Sequence, residues 1–390
     1  TSTNSSIGLI YALKKILLLD MKQRHLKTLS LKEINTLSKS KENFIEINDD
    51  EYINLVNICL GFYFPLRNFS NQKAVNSILN NSEFKKKKWT IPILLSIKRK
   101  PFPEKNKFYK LIYKKKIVGC IKFSCLFNID KKNFSRRVFK TNNQSHPGVK
   151  KLYRLKKTFI DGDCYLNESS IPKNKYFKKS FLLSKNQKNI SLRSSVAFST
   201  RNICHKGHDF IQSFLNKKFD NLFIVVIQTS KNKYKPKTIF SSYEFLNKFK
   251  KKKNKIISIF LPLFLAGPKE AFIQSQVIKN IGIKSFFVGR DHAGVGNFYE
   301  KFASQKIFDK LNVKSPKIIK TKEPVICMYC NTVRFFDGKK DCKKCLKKNN
   351  FSTIDGFNVK KLLINKNNKR ARTFLNKHIQ DFLQKKQYLI

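Results

Sequence analysis

Four short apolar runs, each followed by a polar turn or an amphipathic stretch, fill residues 194 to 289 and constrain the fold more than any other feature. They are SSVAF (Ser194 to Phe198), LFIVVIQ (Leu222 to Gln228), IISIFLPLF (Ile256 to Phe264) and SFFVG (Ser285 to Gly289). Each has the length and β-branched or aromatic content of a buried strand. Between the first two lies HDFIQSFLNKKF, with Phe210, Ile211, Phe214 and Leu215 at helical spacing. SYEFLNKFKK follows the second run and GPKEAFIQSQVIKNIG the third. The latter has Pro268 in a favoured first-turn position, Glu270 near the positive helix end and Gly282 as a stop. Strand–helix alternation predicts an α/β domain of parallel strands with helices on both faces. In such sheets ligands bind beyond the carboxyl ends of the strands.

Up to about residue 165 the rhythm differs. Runs such as WTIPILLSI (Trp89 to Ile97), FYKLIYKKKIVGCIKF (Phe108 to Phe123) and YRLKKTFIDG are broken by Asn/Lys-rich turns. They predict a mainly β domain with a few helices. Lys85 to Lys88 and Lys250 to Lys253 read as solvated basic loops at element edges. The longest mainly apolar run, Ile256 to Gly267, is interrupted by Pro262. A membrane-spanning helix needs about 20 apolar residues, so a helical membrane protein is excluded.

Charge enters the argument because 82 Lys+Arg against 25 Asp+Glu leave +57. A basic surface invites a nucleic-acid reading. Lys, Asn, Ile, Phe and Tyr are abundant together, however, and Gly, at 13 residues, has about half its usual share. That pattern follows A/T-rich codons, so much of the lysine excess is compositional. A hydrophobic share of 41% excludes a disordered polycation.

Two polar turns follow predicted strands. The first runs Ser199-Thr200-Arg201-Asn202-Ile203-Cys204-His205-Lys206-Gly207-His208-Asp209. His205 and His208 are three apart, hence neighbours on a helical face, and a helix N-terminus favours anions. The turn could hold a polyphosphate through donors only; a metal half-site or a satisfied surface pair are the competing readings. The second is Val288-Gly289-Arg290-Asp291-His292-Ala293-Gly294-Val295-Gly296. Its glycines let backbone approach a ligand, and Arg290 can grip an oxyanion bidentately.

These residues resemble the sulfate adenylyltransferase, or ATP sulfurylase, family. Ser199 to His208 is similar to its Gln-X-Arg-Asn-Pro-X-His-X-X-His turn, Ala266 to Ala271 to its Ala-Gly-Pro-Arg-Glu-Ala, and Val288 to Gly296 reproduces its Val-Gly-Arg-Asp-His-Ala-Gly-X-Gly. Upstream, Pro65-Leu66, Trp89 to Ile93 and His146 to Val149 fall where the family has Ser-Pro-Leu, Trp-Pro-Ile-Pro-Ile and His-Pro-Gly-Val. Asp355 to Lys360 resembles a Ser-Gly-Thr-X-Val-Arg segment. The departures are Ser199 for Gln, Ile203 for Pro, Lys269 for Arg, Gln274 for a helix His, Ile227-Gln228 for a His-Pro, and Asp355-Gly356-Phe357 for Ser-Gly-Thr.

The resemblance implies an N-terminal PUA-like (pseudouridine-synthase-and-transglycosylase-like) β-rich domain over 1–165. A Rossmann-like nucleotidyltransferase domain would follow over 166–320, then a C-terminal region over 321–390. It implies transfer of the adenylyl group of MgATP to sulfate, giving adenosine 5′-phosphosulfate and pyrophosphate. Arg201 and Arg290 would bind sulfate with the Ala293 backbone N–H. Thr200 and Asn202 would line the nucleotide and sulfate pocket, and His205 and His208 would contact the phosphates. Ser199, Gly289, Asp291 and His292 complete the expected substrate-binding set. A homologue that binds nucleotide or oxyanion without turnover is the alternative; a nucleic-acid binder rests on charge alone.

Cys327-X2-Cys330 and Cys342-X2-Cys345, eleven residues apart, have the spacing of a closed four-cysteine zinc ribbon. The other cysteines are scattered, which points to a reducing compartment, cytoplasm or an organelle stroma or matrix. Because the chain begins at Thr1, a leader is not observable; Tyr11 to Lys27 has no cleavage-site pattern. No GxxxxGK[ST] phosphate loop occurs, so adenylylsulfate-kinase activity is not expected. Family members are often oligomers, and no membrane partner is expected.

Overall fold

The computed structural model describes residues 26–40, 42–97, 103–185, 194–230, 234–335, 351–354, 359, 362–363 and 373–385. In chain order the first unit contains β1 (Thr28–Leu29), α1 (Leu31–Leu37), β2 (Phe44–Glu46), α2 (Asp49–Cys59), α3 (Gln72–Asn81), β3 (Glu83–Phe84), β4 (Lys87–Lys88), β5 (Ser96–Ile97), β6 (Phe108–Tyr113), β7 (Lys116–Asn128), α4 (Lys131–Phe139), α5 (Pro147–Tyr153) and β8 (Thr158–Asn167). Its six-stranded sheet runs β1-β8-β7-β6-β2 with β5 also on β8. The expected FYKLIYKKKIVGCIKF segment is the β6–β7 hairpin, turned at Lys114 and Lys115 with φ of 49° and 62°. Two left-handed residues are what a two-residue hairpin turn requires.

This unit holds more helix than the alternation predicts. The Asn-rich breaks are helix caps as well as turns: Asn48 accepts from the backbone of Asp50 and Glu51 to start α2, and Asn71 accepts from Ala74 to start α3. WTIPILLSI is a strand only at Ser96–Ile97. Before that the chain is buried but irregular: Trp89 Nε1 donates to the Ile91 carbonyl at 2.7 Å, and Pro92 has no N–H for a ladder.

The second unit contains α6 (Lys175–Lys185), β9 (Ser195–Thr200), α7 (Lys206–Asn216), β10 (Asn221–Gln228), α8 (Pro236–Phe249), β11 (Lys255–Phe260), α9 (Pro268–Ile281), β12 (Ser285–Val288), α10 (Ala303–Lys310) and β13 (Lys317–Lys320). All pairs in its sheet are parallel, in the order β11-β10-β9-β12-β13. Successive residues of each strand alternate between two cores. Val196, Phe198, Ile224 and Val226 pack with Ile211, Leu215 and Ile239 of α7 and α8. Ala197, Phe223 and Val225 pack with Phe272, Ile273 and Val277 of α9. Burial on both faces explains the continuous apolar run LFIVVI, each side chain contributing about 1.5–3 kcal/mol.

The strand order fixes where a ligand can sit. From β9 the chain winds outward through β10 to β11, then returns past β9 to lay β12 on its other side. The reversal opens a crevice at the carboxyl ends of β9 and β12, the topological switch point. Both polar turns leave the sheet there.

The two units share a core that joins Leu55, Phe62 and Trp89 to Phe272 and Val277. Polar contacts reinforce it: Asn57 Nδ2 donates to the Phe260 carbonyl at 2.8 Å, and Asn280 Nδ2 to the carbonyls of Phe62 and Phe64, each at 2.9 Å.

Beyond β13, β14 (Pro324–Cys327) is the centre of a three-stranded antiparallel sheet with β15 (Val333–Phe335) and β16 (Phe351–Thr353). This sheet leans on α7, where Phe335 meets Phe210 and Phe214 edge-on at 4.9 and 5.4 Å. The last helix, α11 (Lys377–Lys385), packs Phe382 on Phe245 of α8. Among the described residues no helix is long and apolar enough to cross a membrane.

Candidate active site

The turn after β9 is built before any ligand is considered. Asn202 N–H donates to Thr200 Oγ1 at 3.0 Å, tightening the chain as it leaves the strand. His205 is then the N-cap of α7, its Nδ1 accepting from the His208 backbone N–H at 3.3 Å. An Nδ1 that accepts must be unprotonated, so a neutral His205 carries its proton on Nε2. The two imidazoles are stacked, with ring centres 3.7 Å apart. Burial, then the neighbouring His205, pushes the His208 value well below the ordinary histidine range. His208 Nδ1 faces the buried Tyr243 hydroxyl at 3.2 Å. The pair is thus a set of neutral N–H donors rather than imidazolium cations.

Behind the turn, Asp209 is gripped by two lysines from the segment expected to be a solvated loop. Lys250 Nζ pairs with its Oδ2, Lys252 Nζ meets Oδ1 at 3.0 Å, and Asn376 Nδ2 donates at 3.1 Å. Despite burial, these ammonium groups hold the Asp209 carboxyl below its ordinary value. Lys251 and Lys253 are exposed as expected.

In the turn after β12, the Gly294 N–H closes on the Asp291 carbonyl at 3.1 Å. A Cβ on Gly294 would lie 1.9 Å from Asp291 Oδ1, so any larger residue there would displace the Asp291 carboxylate. Ala293 and Gly296 have left-handed φ of 56° and 50°. The His292 ring turns inward, its Nε2 2.7 Å from Gln274 Oε1 on α9. Burial and then the Arg201 charge lower the His292 value to about 4.

Each arginine has a glutamate tether. Arg201 Nη1 lies 3.8 Å from Glu270 Oε1, and Arg290 Nε 3.2 Å from Glu323 Oε1. Glu270 is buried, and burial raises its carboxyl value against the opposing pull of Arg201. Glu270 also accepts the Leu265 N–H at 2.8 Å, fixing the loop that leads into α9. In sequence Glu270 reads only as a favourable first-turn charge. Glu323 sits beyond the next strand and carries no local signal.

Ser199, Arg201, Glu270, Gln274 and His292 therefore form one connected group that joins the two turns through α9. Gly289 and Arg290 lie at the end of β12, and Asp291 is exposed. The Asn202 Oδ1 is buried with no hydrogen-bond partner among the described residues. Gly267, the N-cap of α9, has φ 49°, and a Cβ there would lie 2.5 Å from the Tyr299 ring. Tyr299 in turn reaches His146 Nε2 at 3.3 Å. His146 caps α5 through Nδ1, so His146 to Val149 buttresses the second turn from the first unit.

A cavity of about 650 Å³ lies elsewhere, lined by Tyr176, Phe223, Glu244 and Ile256 near the amino ends of β10 and β11. Its lining also includes Lys179, Asn247, Asn254 and Lys255, but no residue of the two turns.

Cys327 is buried and Cys330 exposed, and the Cys330 N–H donates to Cys327 Sγ at 3.5 Å. Cys342 and Cys345 lie outside the described residues. Among the described residues no three His, Cys, Asp or Glu side chains lie together to hold a metal ion.

Residues 175–386 match the ATP-sulfurylase family and residues 19–169 a PUA-like domain. The chain is 31% identical over 292 residues to the sulfate adenylyltransferase of Pyrococcus abyssi, covering 73% of this chain and 77% of that one. It is 31% identical over 336 residues to that of Thermococcus onnurineus, covering 84% and 87%. For the sulfate adenylyltransferase of Carboxydothermus hydrogenoformans the identity is 29% over 331 residues, covering 77% and 84%. Among solved structures, a hexameric APS kinase from Thiobacillus denitrificans superposes with a TM-score of 0.60 at 11% identity. That match covers 95% of this chain and 65% of that one. A likeness at that identity concerns the fold alone.

Proposed function

The chain belongs to the ATP-sulfurylase family, and from that premise we propose that it is a sulfate adenylyltransferase, joining ATP and sulfate into adenosine 5′-phosphosulfate and pyrophosphate. The observation that carries the reading is the pair Arg201 and Arg290 at the carboxyl ends of adjacent parallel strands, each tethered by a glutamate. Guanidinium groups grip a tetrahedral oxyanion bidentately. Their tethers hold them in place before sulfate arrives, which lowers the ordering cost of binding.

Sulfate is ionised at neutral pH, so no general base is required. One sulfate oxygen attacks the α-phosphorus, the bond to the bridging oxygen of pyrophosphate breaks, and pyrophosphate leaves with the electron pair. Positioning and charge stabilisation dominate such a transfer. In this reading Arg201, Arg290 and the Ala293 N–H hold sulfate. Neutral His205 and His208 donate from Nε2 to the phosphates where charge develops. Phosphates and sulfate offer only acceptors. The orphaned Asn202 Oδ1 therefore fits a donor on the nucleoside, a ribose hydroxyl or the adenine amine. Magnesium belongs to the substrate, chelated by the triphosphate.

The same reading places domain boundaries near residues 165 and 320 and assigns a structural zinc to Cys327, Cys330, Cys342 and Cys345. Its support is the first cysteine pair, whose N–H to sulfur contact suits a thiolate ligand. Four thiolates leave no open position, so the metal would brace the β14 sheet against α7 and take no part in the transfer. Metal analysis of the purified chain should find one zinc; none would remove the assignment. An oligomer is part of the same proposal.

The test is product formation. With ATP, magnesium, sulfate and pyrophosphatase, the chain should accumulate adenosine 5′-phosphosulfate. ATP binding without product would favour a homologue that has kept the fold and lost turnover.

A further inference from the structure

Gln274 lies on α9 and belongs to neither turn, yet its carboxamide touches both. Its Oε1 accepts from Ser199 Oγ at 3.3 Å and faces His292 Nε2 at 2.7 Å. Its Nε2 donates to Glu270 Oε1 at 3.3 Å, one helical turn back. Glu270 is fixed in turn by the Leu265 N–H on its other oxygen. With Glu270 ionised opposite Arg201, this arrangement orients the amide. The carboxylate needs a donor, so the amide nitrogen faces Glu270 and the amide oxygen faces the two turns. An amide oxygen only accepts, so His292 must carry its proton on Nε2.

His292 is thereby held at two points. Its ring is fixed by Gln274, and its carbonyl accepts from Ser304 Oγ at 2.6 Å. The next residue, Ala293, is a non-glycine residue in left-handed backbone, a conformation that its surroundings must enforce. We propose that Gln274 is the positioning residue of the second turn: it fixes the tautomer and orientation of the His292 ring and, through it, the backbone N–H of Ala293 that receives sulfate. This rests on the functional reading above. It also gives a reason for two sequence departures at once. The family pattern carries a glutamine where this chain has Ser199 and a histidine where it has Gln274. Here Ser199 is short, and the carboxamide comes from the helix.

Two measurements test the proposal. The first needs no activity: nitrogen-15 correlation spectra of the histidine rings in the full chain, with His292 identified by His292→Gln. The expected result is the Nε2–H tautomer at neutral pH, changing to mixed tautomers in Gln274→Leu. An Nδ1–H tautomer in the natural chain, or a His292 signal indifferent to Gln274→Leu, would overturn the proposal. The second is kinetic. Gln274→Leu should raise the sulfate KM about tenfold while moving the ATP KM less than about twofold. Ser199→Gln should be impaired alone and recover in Ser199→Gln/Gln274→His, since touching residues couple. Equal changes in both KM values with no recovery would show a merely structural glutamine. Should the natural chain form no product at all, the functional reading fails, and the ring spectra still decide the role of Gln274.

Discussion

In the turn after β9 the chain enters α7 within a few residues; in the turn after β12 the next helix begins only at Ala303. The first can therefore use the helix itself. His205 caps it, and Asp209 in its first turn is clamped by Lys250 and Lys252. The second has no helix end to lean on. It depends on glycines, on one left-handed alanine, and on side chains sent across by α9 and by Glu323. Both turns offer donors to anions, but the first is fastened by ion pairs on its helix, whereas the second combines the Arg290–Glu323 pair with the neutral His292–Gln274 hydrogen bond.

The largest effects should come from the arginines, where the two turns do the same work. Arg201→Ala and Arg290→Ala are each expected to reduce product formation by about 10²–10³-fold, measured as kcat/KM for sulfate. Lys253→Ala, an exposed charge, should change it less than about twofold. Lys250 is an unsuitable control because it holds Asp209. Equal losses at Arg290 and Lys253 would show that the crevice is not the site.

Asp209→Asn should come next and break only the first turn. Activity is expected to fall about tenfold, with stability lower by about 1–3 kcal/mol in thermal unfolding. The pH dependence has a definite sign. The folded Asp209 value lies below its unfolded value, so the clamp stabilises fully above the unfolded value, near 3.9. That contribution is lost as pH falls through the lower folded value. The stability difference between the natural chain and Asp209→Asn should therefore be constant from pH 8 to about 5 and shrink below about 4. A difference that shrinks between pH 8 and 6 would point to another group.

The histidines sharpen the comparison further. His208 and His292 are both held neutral by burial, His292 down to about 4. The activity profile should lack an acid limb near the ordinary histidine value of about 6.5. A limb there would mean that one of these histidines takes up a proton near its ordinary value, against the burial that holds it neutral. The smallest effect is expected from Ala293→Gly. Relief of left-handed backbone should leave stability unchanged or raise it by about 0.5–1 kcal/mol. A loss of more than about 1 kcal/mol in thermal unfolding would show that the alanine side chain packs usefully.

Much of this was legible before the structure. The four strand runs (the third only as far as Phe260, short of Pro262), the helix of Phe210 and Leu215 and the stop at Gly282 follow from local pattern, because burial on both faces writes itself into composition. The two turns were legible as polar, glycine-bearing exits from apolar strands. The adjacency of β9 and β12 was not, since strand order depends on which way each crossover packs, and no residue records it. Glu323 and the Lys250–Asp209 contact escaped for the same reason: a partner supplied from another element leaves no spacing to read. In the first unit, Asn48 and Asn71 start helices, where the sequence shows only Asn/Lys-rich breaks. Asparagine serves turns and helix caps alike, so composition alone could not choose between them.

The central claim is that the two turns form one site that activates sulfate. Sulfate-dependent exchange of labelled pyrophosphate into ATP tests it most directly, because label enters ATP only if adenosine 5′-phosphosulfate forms and reverts. The account predicts exchange that requires both magnesium and sulfate and is nearly abolished in Arg201→Ala and Arg290→Ala. Exchange that proceeds without sulfate, or no exchange from a folded chain that binds ATP, would contradict it.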